Sequence, residues 1–379
     1  MANILEDVIP KILAGAAESL RETCILPRLV NGDYSQDAAA KGSVVEIPIP
    51  TAIAAQDVVP AAYAPNPGDL TIETAKVYLN NWKEAPFVLT DRDLAEIMDG
   101  VVPMQVKEAG KTIANAIDSS LLNLYKYSYN YVGTPGVTPF ATDTTAAQAA
   151  RRELNSTATP PQDRRIVLDV DADANATGLP AFQSVDRAGT NITIQEGMIG
   201  RKLGFDWYYD QLMPAHTAAY HARGSAVPSG YLVNQTNHAV GDTEVTVDTG
   251  TGTFVEGDLF TVAGDAQTYV VRSISGSTLT YLPAAKTAFA NNAVMSVVAD
   301  HAVNLGFHRD AIGLAVRSLQ GSSIREQLGG TMSMVYTDPV SMIPLRLEVV
   351  NEHKRTRWSI DALWGTGVIR PECLVRILG

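Results

Sequence analysis

The most suggestive metal-binding pattern in the sequence is a run of alternating acids, Asp169, Asp171 and Asp173. Such spacing opens a calcium loop, because Ca²⁺ takes carboxylate oxygens as ligands. The loop also needs Gly at its sixth position and Glu at its twelfth, where this chain has Ala174 and Pro180. We therefore expect a strand end followed by an Asp-rich turn or helix cap. The sequence predicts no metal site and no cofactor.

The histidines form no recognisable ligand set. His216 and His221 are five residues apart, and His301 and His308 are seven apart. Neither spacing places two imidazoles on one helical turn beside a third ligand. We interpret them as structural histidines.

Motifs of known catalytic sites are absent from the sequence. Gly250-Thr-Gly252 continues to Val255, so it fails the dinucleotide-binding pattern, and neither a P-loop nor a G-x-S-x-G sequence occurs. A catalytic trio assembled in space from distant residues stays open at this point. We predict no catalytic residues and a protein that is not an enzyme; the alternative is a hydrolase with a β-rich accessory domain.

Four tyrosines, Tyr125, Tyr127, Tyr129 and Tyr131, alternate in one short stretch. Stacking on single-stranded nucleic acid would require basic neighbours, and only Lys126 is near. The net charge of −12, without a local run of Lys and Arg, also disfavours DNA binding. These rings are expected to pack at a helix end or against another subunit.

A mixed-charge run near the C-terminus allows two interpretations. One is a solvated face, and the other is a salt-bridged interface between subunits. Its members are Glu348, Glu352, His353, Lys354, Arg355 and Arg357.

The longest helical period covers 103–128 and organises the chain. Apolar residues recur every three or four positions and so share one face, among them Val106, Ile113 and Ile117. Gly110 within this helix predicts a close contact with another element. Residues 43–90 read as long strands around a wide loop. Between 226 and 298, short strands with turn residues predict a small β-barrel or sandwich inserted into a mixed α and β chain.

The chain of 379 residues has only two cysteines, far apart, and its N-terminus lacks the basic residues of a secretory signal. No apolar run is long enough to span a membrane. A reducing cytoplasm and no membrane association are therefore expected.

Three stretches of the sequence resemble one family, the major capsid proteins of tailed bacteriophages with the Hong Kong 97-type shell fold. They are 193–206 (TIQEGMIGRKLGFD), 306–315 (GFHRDAIGLA) and 364–372 (WGTGVIRPE). The order of the elements is also similar: an N-terminal arm, an extended β arm, a long helix, an α/β centre and C-terminal strands. The insertion is similar in position to the extra domain of some short-tailed phage coat proteins.

The resemblance implies an α+β capsid fold with an inserted β-barrel. The implied regions are a helical arm at 1–32, an extended β loop at 33–90, a peripheral domain with the spine helix at 91–160, an axial domain at 161–225, the barrel at 226–300, and axial and C-terminal peripheral strands at 301–379.

The resemblance also implies the function. The chain would assemble with itself as pentamers and hexamers into an icosahedral shell enclosing double-stranded DNA without sequence-specific binding. Expected partners are a scaffolding protein, a portal and a decoration protein, and the expected location is the virion, assembled in the host cytoplasm. Because the arm begins almost at Met1, a separate scaffolding protein is expected instead of a cleaved N-terminal segment. The alternative within this fold is an encapsulin-type bacterial compartment.

Overall fold

In the computed structural model of the chain, the structure describes residues 25–33, 44–49, 55, 60, 72–90, 101–184, 186, 189, 192–218, 230–250, 253–319, 331–337 and 343–379. His221, Gly252 and the helical arm expected at 1–32, apart from its last positions, lie outside these residues.

The described residues form five α-helices, four 3₁₀-helices and twenty strands. The α-helices are α1 Val101–Leu122, α2 Thr145–Ser156, α3 Val170–Gly178, α4 Pro180–Gln183 and α5 Ile192–Glu196. The 3₁₀-helices are Leu26–Arg28, Asn123–Tyr127, Arg309–Ala311 and Pro371–Cys373. The strands are β1 Val44–Ile49, β2 Glu73–Tyr78, β3 Asn81–Thr90, β4 Asn130–Gly133, β5 Arg164–Leu168, β6 Arg201–Lys202, β7 Phe205–Tyr209, β8 Ala215–His216, β9 Leu232–Val233, β10 Glu244–Asp248, β11 Leu259–Val262, β12 Thr268–Ser275, β13 Thr278–Leu282, β14 Met295–Val297, β15 His301–His308, β16 Ile312–Arg317, β17 Thr331–Thr337, β18 Pro344–Glu352, β19 Arg355–Val368 and β20 Leu374–Leu378.

Helix α1 is the long helix that the sequence predicted, but it is shorter at its end. The prediction of one helix to residue 128 is wrong, because the chain tightens into a 3₁₀-helix at Asn123–Tyr127. The buried positions there are spaced by three: Leu121 with Leu124, and Leu122 with Tyr125. A turn of three residues keeps both pairs on the core side. Gly110 is buried in the helix.

A five-stranded antiparallel sheet covers α1. Its order is β16-β19-β18-β17, and β3 also pairs with β19. Strand β3 lies in the region expected to form the extended loop, whereas all ten of its residues pair with Arg355–Trp364. The reason is its alternation: Ala85 and Phe87 pack against the core around α1, while Trp82 and Val88 face out.

The second sheet has seven strands and is covered on both faces. Its order is β4-β20-β15-β5-β7-β6, with β8 on β15. Strand β5 shows the two faces directly: Val167 belongs to the core around α1, and Ile166 and Leu168 belong to the core beneath α2 and α3. Two-sided burial explains why this strand is a continuous apolar run in the sequence.

The hairpin of β1 and β2 lies across glycines of β16 and β19. A Cβ on Gly365 would stand 2.3 Å from the carbonyl oxygen of Tyr78, and one on Gly367 would stand 3.0 Å from the side chain of Val77. The hairpin reaches this depth only because neither strand position carries a side chain. Val45, Ile47 and Val77 then bury themselves against Ala315 and Ile369.

The residues expected to form an inserted β domain make a six-stranded antiparallel sheet in the order β14-β11-β12-β13-β10-β9. Its two edge strands also meet, because Leu232 in β9 forms a bridge with Val294 beside β14. Two backbone hydrogen bonds support this contact, from Met295 N to the Tyr231 carbonyl at 2.9 Å and from Val233 N to the Ala293 carbonyl at 3.0 Å. The interior is aromatic and includes Phe260, Tyr269, Tyr281 and Phe289.

We predict that Gly365→Ala lowers the free energy of unfolding by roughly 2 kcal/mol, because the new methyl group collides with backbone atoms of β2 that cannot move aside alone. Urea denaturation of the purified subunit measures the change. The matched control is Gly178→Ala at the end of α3, where a Cβ meets nothing within 4 Å. Equal stabilities for the two variants would contradict the close approach.

Candidate functional site: a buried polar junction and a charged sheet face

The tyrosine run after α1 lies where the six-stranded sheet joins the rest of the subunit. The guanidinium of Arg272 in β12 sits 3.3 Å from the ring centroid of Tyr127 and donates a hydrogen bond to the Lys126 carbonyl at 3.1 Å. Tyr129 packs with Leu259 and Val270 of the same sheet. Packing at the helix end, which the sequence analysis expected, is therefore what these rings do within one chain.

Arg376 lies at the centre of this junction and is fully buried. Its guanidinium donates one hydrogen bond to the carbonyl of Gly257, in the loop between β10 and β11, at 3.0 Å. It donates another to the carbonyl of Tyr125 at 2.8 Å. The Tyr125 ring lies 4.7 Å beneath it. Burial lowers the pKa of Arg376 to about 10, so this side chain remains charged at neutral pH. A buried cation of this kind is costly unless acceptors surround it.

A chain of hydrogen bonds runs beside Arg376. The Tyr125 hydroxyl is 3.0 Å from His216 Nδ1, and His216 Nε2 is 2.9 Å from Asp258 Oδ1. The second Asp258 oxygen accepts the Val255 amide at 2.8 Å. Hydroxyl, imidazole and carboxylate in this order match a catalytic relay.

The relay is closed to substrate. Tyr125 and His216 are each 4% exposed and Asp258 is 0% exposed. Burial also raises the pKa of Tyr125, which makes its hydroxyl a poorer nucleophile. A nucleophile that no substrate can reach cannot react, so we assign these three side chains to holding β8, β11 and the end of α1 together.

The spacing of the histidines in the sequence does not indicate which of them meet in the fold. His216 and His301 face each other in the register of β8 and β15, with ring centroids 5.3 Å apart. His308 is elsewhere, with its ring nitrogen accepting from the Asp310 amide. Strand pairing over more than eighty residues created the contact, and no local spacing signals it.

The acidic run contains a helix cap. Asp169 precedes α3, and its carboxylate accepts the Ala172 amide at 2.9 Å. Among the described residues, no group of three His, Cys, Asp or Glu side chains is placed to hold a metal ion.

The mixed-charge run lies on the outer face of the five-stranded sheet. We name as the charged sheet face the residues Trp82, Glu84, Arg346, Glu348, Arg357 and Asp361, which line an open groove of about 670 Å³. Arg346 is held between Asp361 and Glu348, and Arg357 Nη2 contacts Glu84 Oε1 at 2.9 Å. The groove is open and its charges are paired within the chain. The mixed-charge run in the sequence included Glu348 and Arg357 of this face. It did not include Glu84, Arg346, Asp361 or Trp82, whose indole N–H donates to Asp361 at 2.9 Å.

Within the described part of the chain, no helix has the length and apolar character needed to cross a membrane.

Two solved structures share this fold over nearly the whole chain. A chain of Mycobacterium phage Che8 aligns over 94% of this chain and 91% of its own, with a TM-score of 0.52 and 13% identity. A chain from the capsid of cyanophage P-SCSP1u aligns over 94% of this chain and 88% of its own, with a TM-score of 0.53 and 12% identity. No protein-family model and no curated protein matches the chain. The chain therefore has the α+β fold of phage capsid proteins, as its sequence predicted.

Arg376→Met should lower the free energy of unfolding by about 3 kcal/mol, because it leaves the carbonyls of Gly257 and Tyr125 without their buried donor. Thermal and urea denaturation of the subunit measure this loss. Arg152→Met, at a side chain that is 77% exposed on α2, is the control and should change stability by less than about 0.5 kcal/mol. Equal free energies of unfolding for the two variants would show that the hydrogen bonds of Arg376 do not stabilise the fold.

We also predict an acid-sensitive stability that depends on His301. Burial lowers the pKa of this histidine to about 4, with Arg376 and His216 opposing its positive charge. The unfolded chain therefore binds the proton first as pH falls below about 6.5, and the free energy of unfolding decreases by roughly 3 kcal/mol between pH 6.5 and 4. Below about pH 4 this contribution levels off.

Urea denaturation at a series of pH values checks this slope. His301→Asn should flatten the slope, whereas His353→Asn, at an exposed position on the β18–β19 turn, should leave it unchanged. An unchanged slope in His301→Asn would refute the assignment.

Proposed function

We propose that this chain is the major capsid protein of a tailed bacteriophage, of the Hong Kong 97 type, with an inserted β-barrel. In this proposal it assembles as pentamers and hexamers into an icosahedral shell that encloses double-stranded DNA. The observation that carries the proposal is the fold, which the chain shares with the capsid of cyanophage P-SCSP1u over 94% of its length.

The use of the polar residues supports this proposal. The buried relay of Tyr125, His216 and Asp258 and the buried Arg376 connect three parts of the chain, and each of these residues is at most 4% exposed. A shell subunit needs such internal rigidity, because many weak contacts sum only if each subunit presents them in fixed geometry. We therefore propose a protein that is not an enzyme and needs no cofactor.

The closing contact between β9 and β14 supports the inserted barrel, since every strand of that sheet then has two neighbours. We retain the proposed division at 1–32, 33–90, 91–160, 161–225, 226–300 and 301–379, with β3 lying in the sheet over α1.

The net charge of −12 supports a shell that encloses DNA without binding it tightly. In this proposal the acids face inward, and an acidic inner wall repels the DNA phosphates. A scaffolding protein, a portal and a decoration protein are the proposed partners, and the virion is the proposed location after assembly in the host cytoplasm.

Electron microscopy of the chain expressed alone and together with its neighbouring genes tests the proposal. We expect closed shells or capsid-like sheets, with DNA inside the particles made in the full context. Shells that contain a cargo protein and no DNA would assign the chain to a bacterial compartment. A persistent small oligomer with a turnover activity would overturn the proposal in favour of an enzyme.

A further inference from the structure

We propose that the charged sheet face is a contact surface for a second copy of this chain. The inference rests on the proposed shell function and names one surface through which the subunits associate. The strand registers place the charged side chains of this face in ordered rows.

The registers align charged side chains across three strands. Asp361 in β19 lies opposite Arg346 in β18, of opposite charge, and opposite Glu84 in β3, of the same charge. Four residues away along β19, Arg357 lies opposite Val88. Because alternate residues of a strand share a face, Arg346, Arg357 and Glu84 all point away from α1.

These side chains are fixed before any partner arrives. Asp361 accepts from both Arg346 and the Trp82 indole, and its own side chain is 4% exposed. The Trp82 ring nevertheless remains 65% exposed, although its N–H is already bonded. A large ring held in one orientation loses little conformational entropy on binding, and Trp and Arg are the residues that contribute most at protein interfaces.

The charge balance points to a second copy as the occupant. Among the described strand residues of the outer face, four positive side chains, Arg317, Arg346, Arg355 and Arg357, stand beside four negative ones, Glu84, Glu348, Glu352 and Asp361, whereas the whole chain carries −12. Two copies of an acidic chain repel each other over most of their surface. They can approach where both signs are present, because a face with both signs can match a surface of the same chain.

Apolar residues border the charges on the same face. Val88 is 44% exposed and Val335, which pairs with Arg346, is 37% exposed. Together with Trp82 they supply apolar area beside the charged groove, the mixture of ion pairs and apolar contacts found in protein interfaces.

The test exchanges one ion pair without breaking it. In the double variant Glu84→Arg with Arg357→Glu, the pair across β3 and β19 keeps its attraction, but each sign presented to a neighbour is reversed. We expect the melting temperature of the free subunit to stay within about 2 °C. We take the contact to be heterologous, with a different part of the neighbour's surface facing these residues, so like charges then meet across it and assembly should fall by about tenfold or more.

The matched control is the double variant Arg152→Glu with Glu153→Arg, which exchanges a neighbouring ion pair on α2, away from this face. It should assemble like the unmodified chain.

Oxidative footprinting of Trp82 supplies a second measurement that does not depend on a variant. The other three tryptophans are at most 7% exposed and serve as internal references. In the unmodified protein, Trp82 should be oxidised rapidly in free subunits and at least about fivefold more slowly in assemblies.

Each outcome decides the proposal. If the unmodified chain never assembles, the shell function fails and this contact fails with it. If it assembles while Trp82 reacts at the free-subunit rate and the exchanged variant assembles normally, only the contact is overturned. If Trp82 is protected only when another protein is present in the particle, the face belongs to that protein and the proposal is also overturned.

Discussion

A single buried cation, Arg376, joins the parts of this subunit. It comes from the last strand of the chain and donates to carbonyls after α1 and in the loop before β11. Removing a guanidinium from water is costly, and the cost is offset only if all the acceptors are present at once. The long helix, the C-terminal strand and the six-stranded sheet are therefore dependent on one another. The six-stranded sheet has its own apolar interior and also contributes Leu259 and Val270 to a cluster with Tyr129 and Leu378 of the rest of the chain.

The same requirement explains why the subunit's most reactive-looking groups belong to its framework. Tyr125, His216 and Asp258 satisfy one another's hydrogen bonds in a buried place, where an unpaired polar group would be strongly destabilising. Their arrangement has the geometry of a catalytic relay, but the three side chains are buried and a substrate cannot reach them. A rigid junction of this kind keeps the outward surfaces of the chain in fixed relative positions.

Glycine serves the framework in a different way. At Gly365 and Gly367 the absence of side chains lets the hairpin of β1 and β2 lie directly on β19. The stretch WGTGVIRPE that resembles capsid proteins thus contains two residues chosen for close approach, and its Trp364 anchors the sheet to Ser120 of α1. The two glycines join the hairpin of β1 and β2 to β19 through close packing.

The sequence alone determined the elements whose signals are local: the period of α1, the strands within 43–90, the short strands between 243 and 298 and the overall resemblance to a capsid fold. The sequence did not predict the 3₁₀-helix after Leu122, because apolar residues spaced by three fit an α-helix and a 3₁₀-helix equally well. Only the tertiary structure decided that His216 meets His301 and that Arg376, which lies in the apolar run LVRIL, is buried. Both facts arise from pairing between residues far apart in sequence, where contacts depend on strand register and on what covers each face. The sequence likewise contained the mixed charges near the C-terminus, but only the pairing of β3 with β19 and β18 placed them in rows beside Trp82.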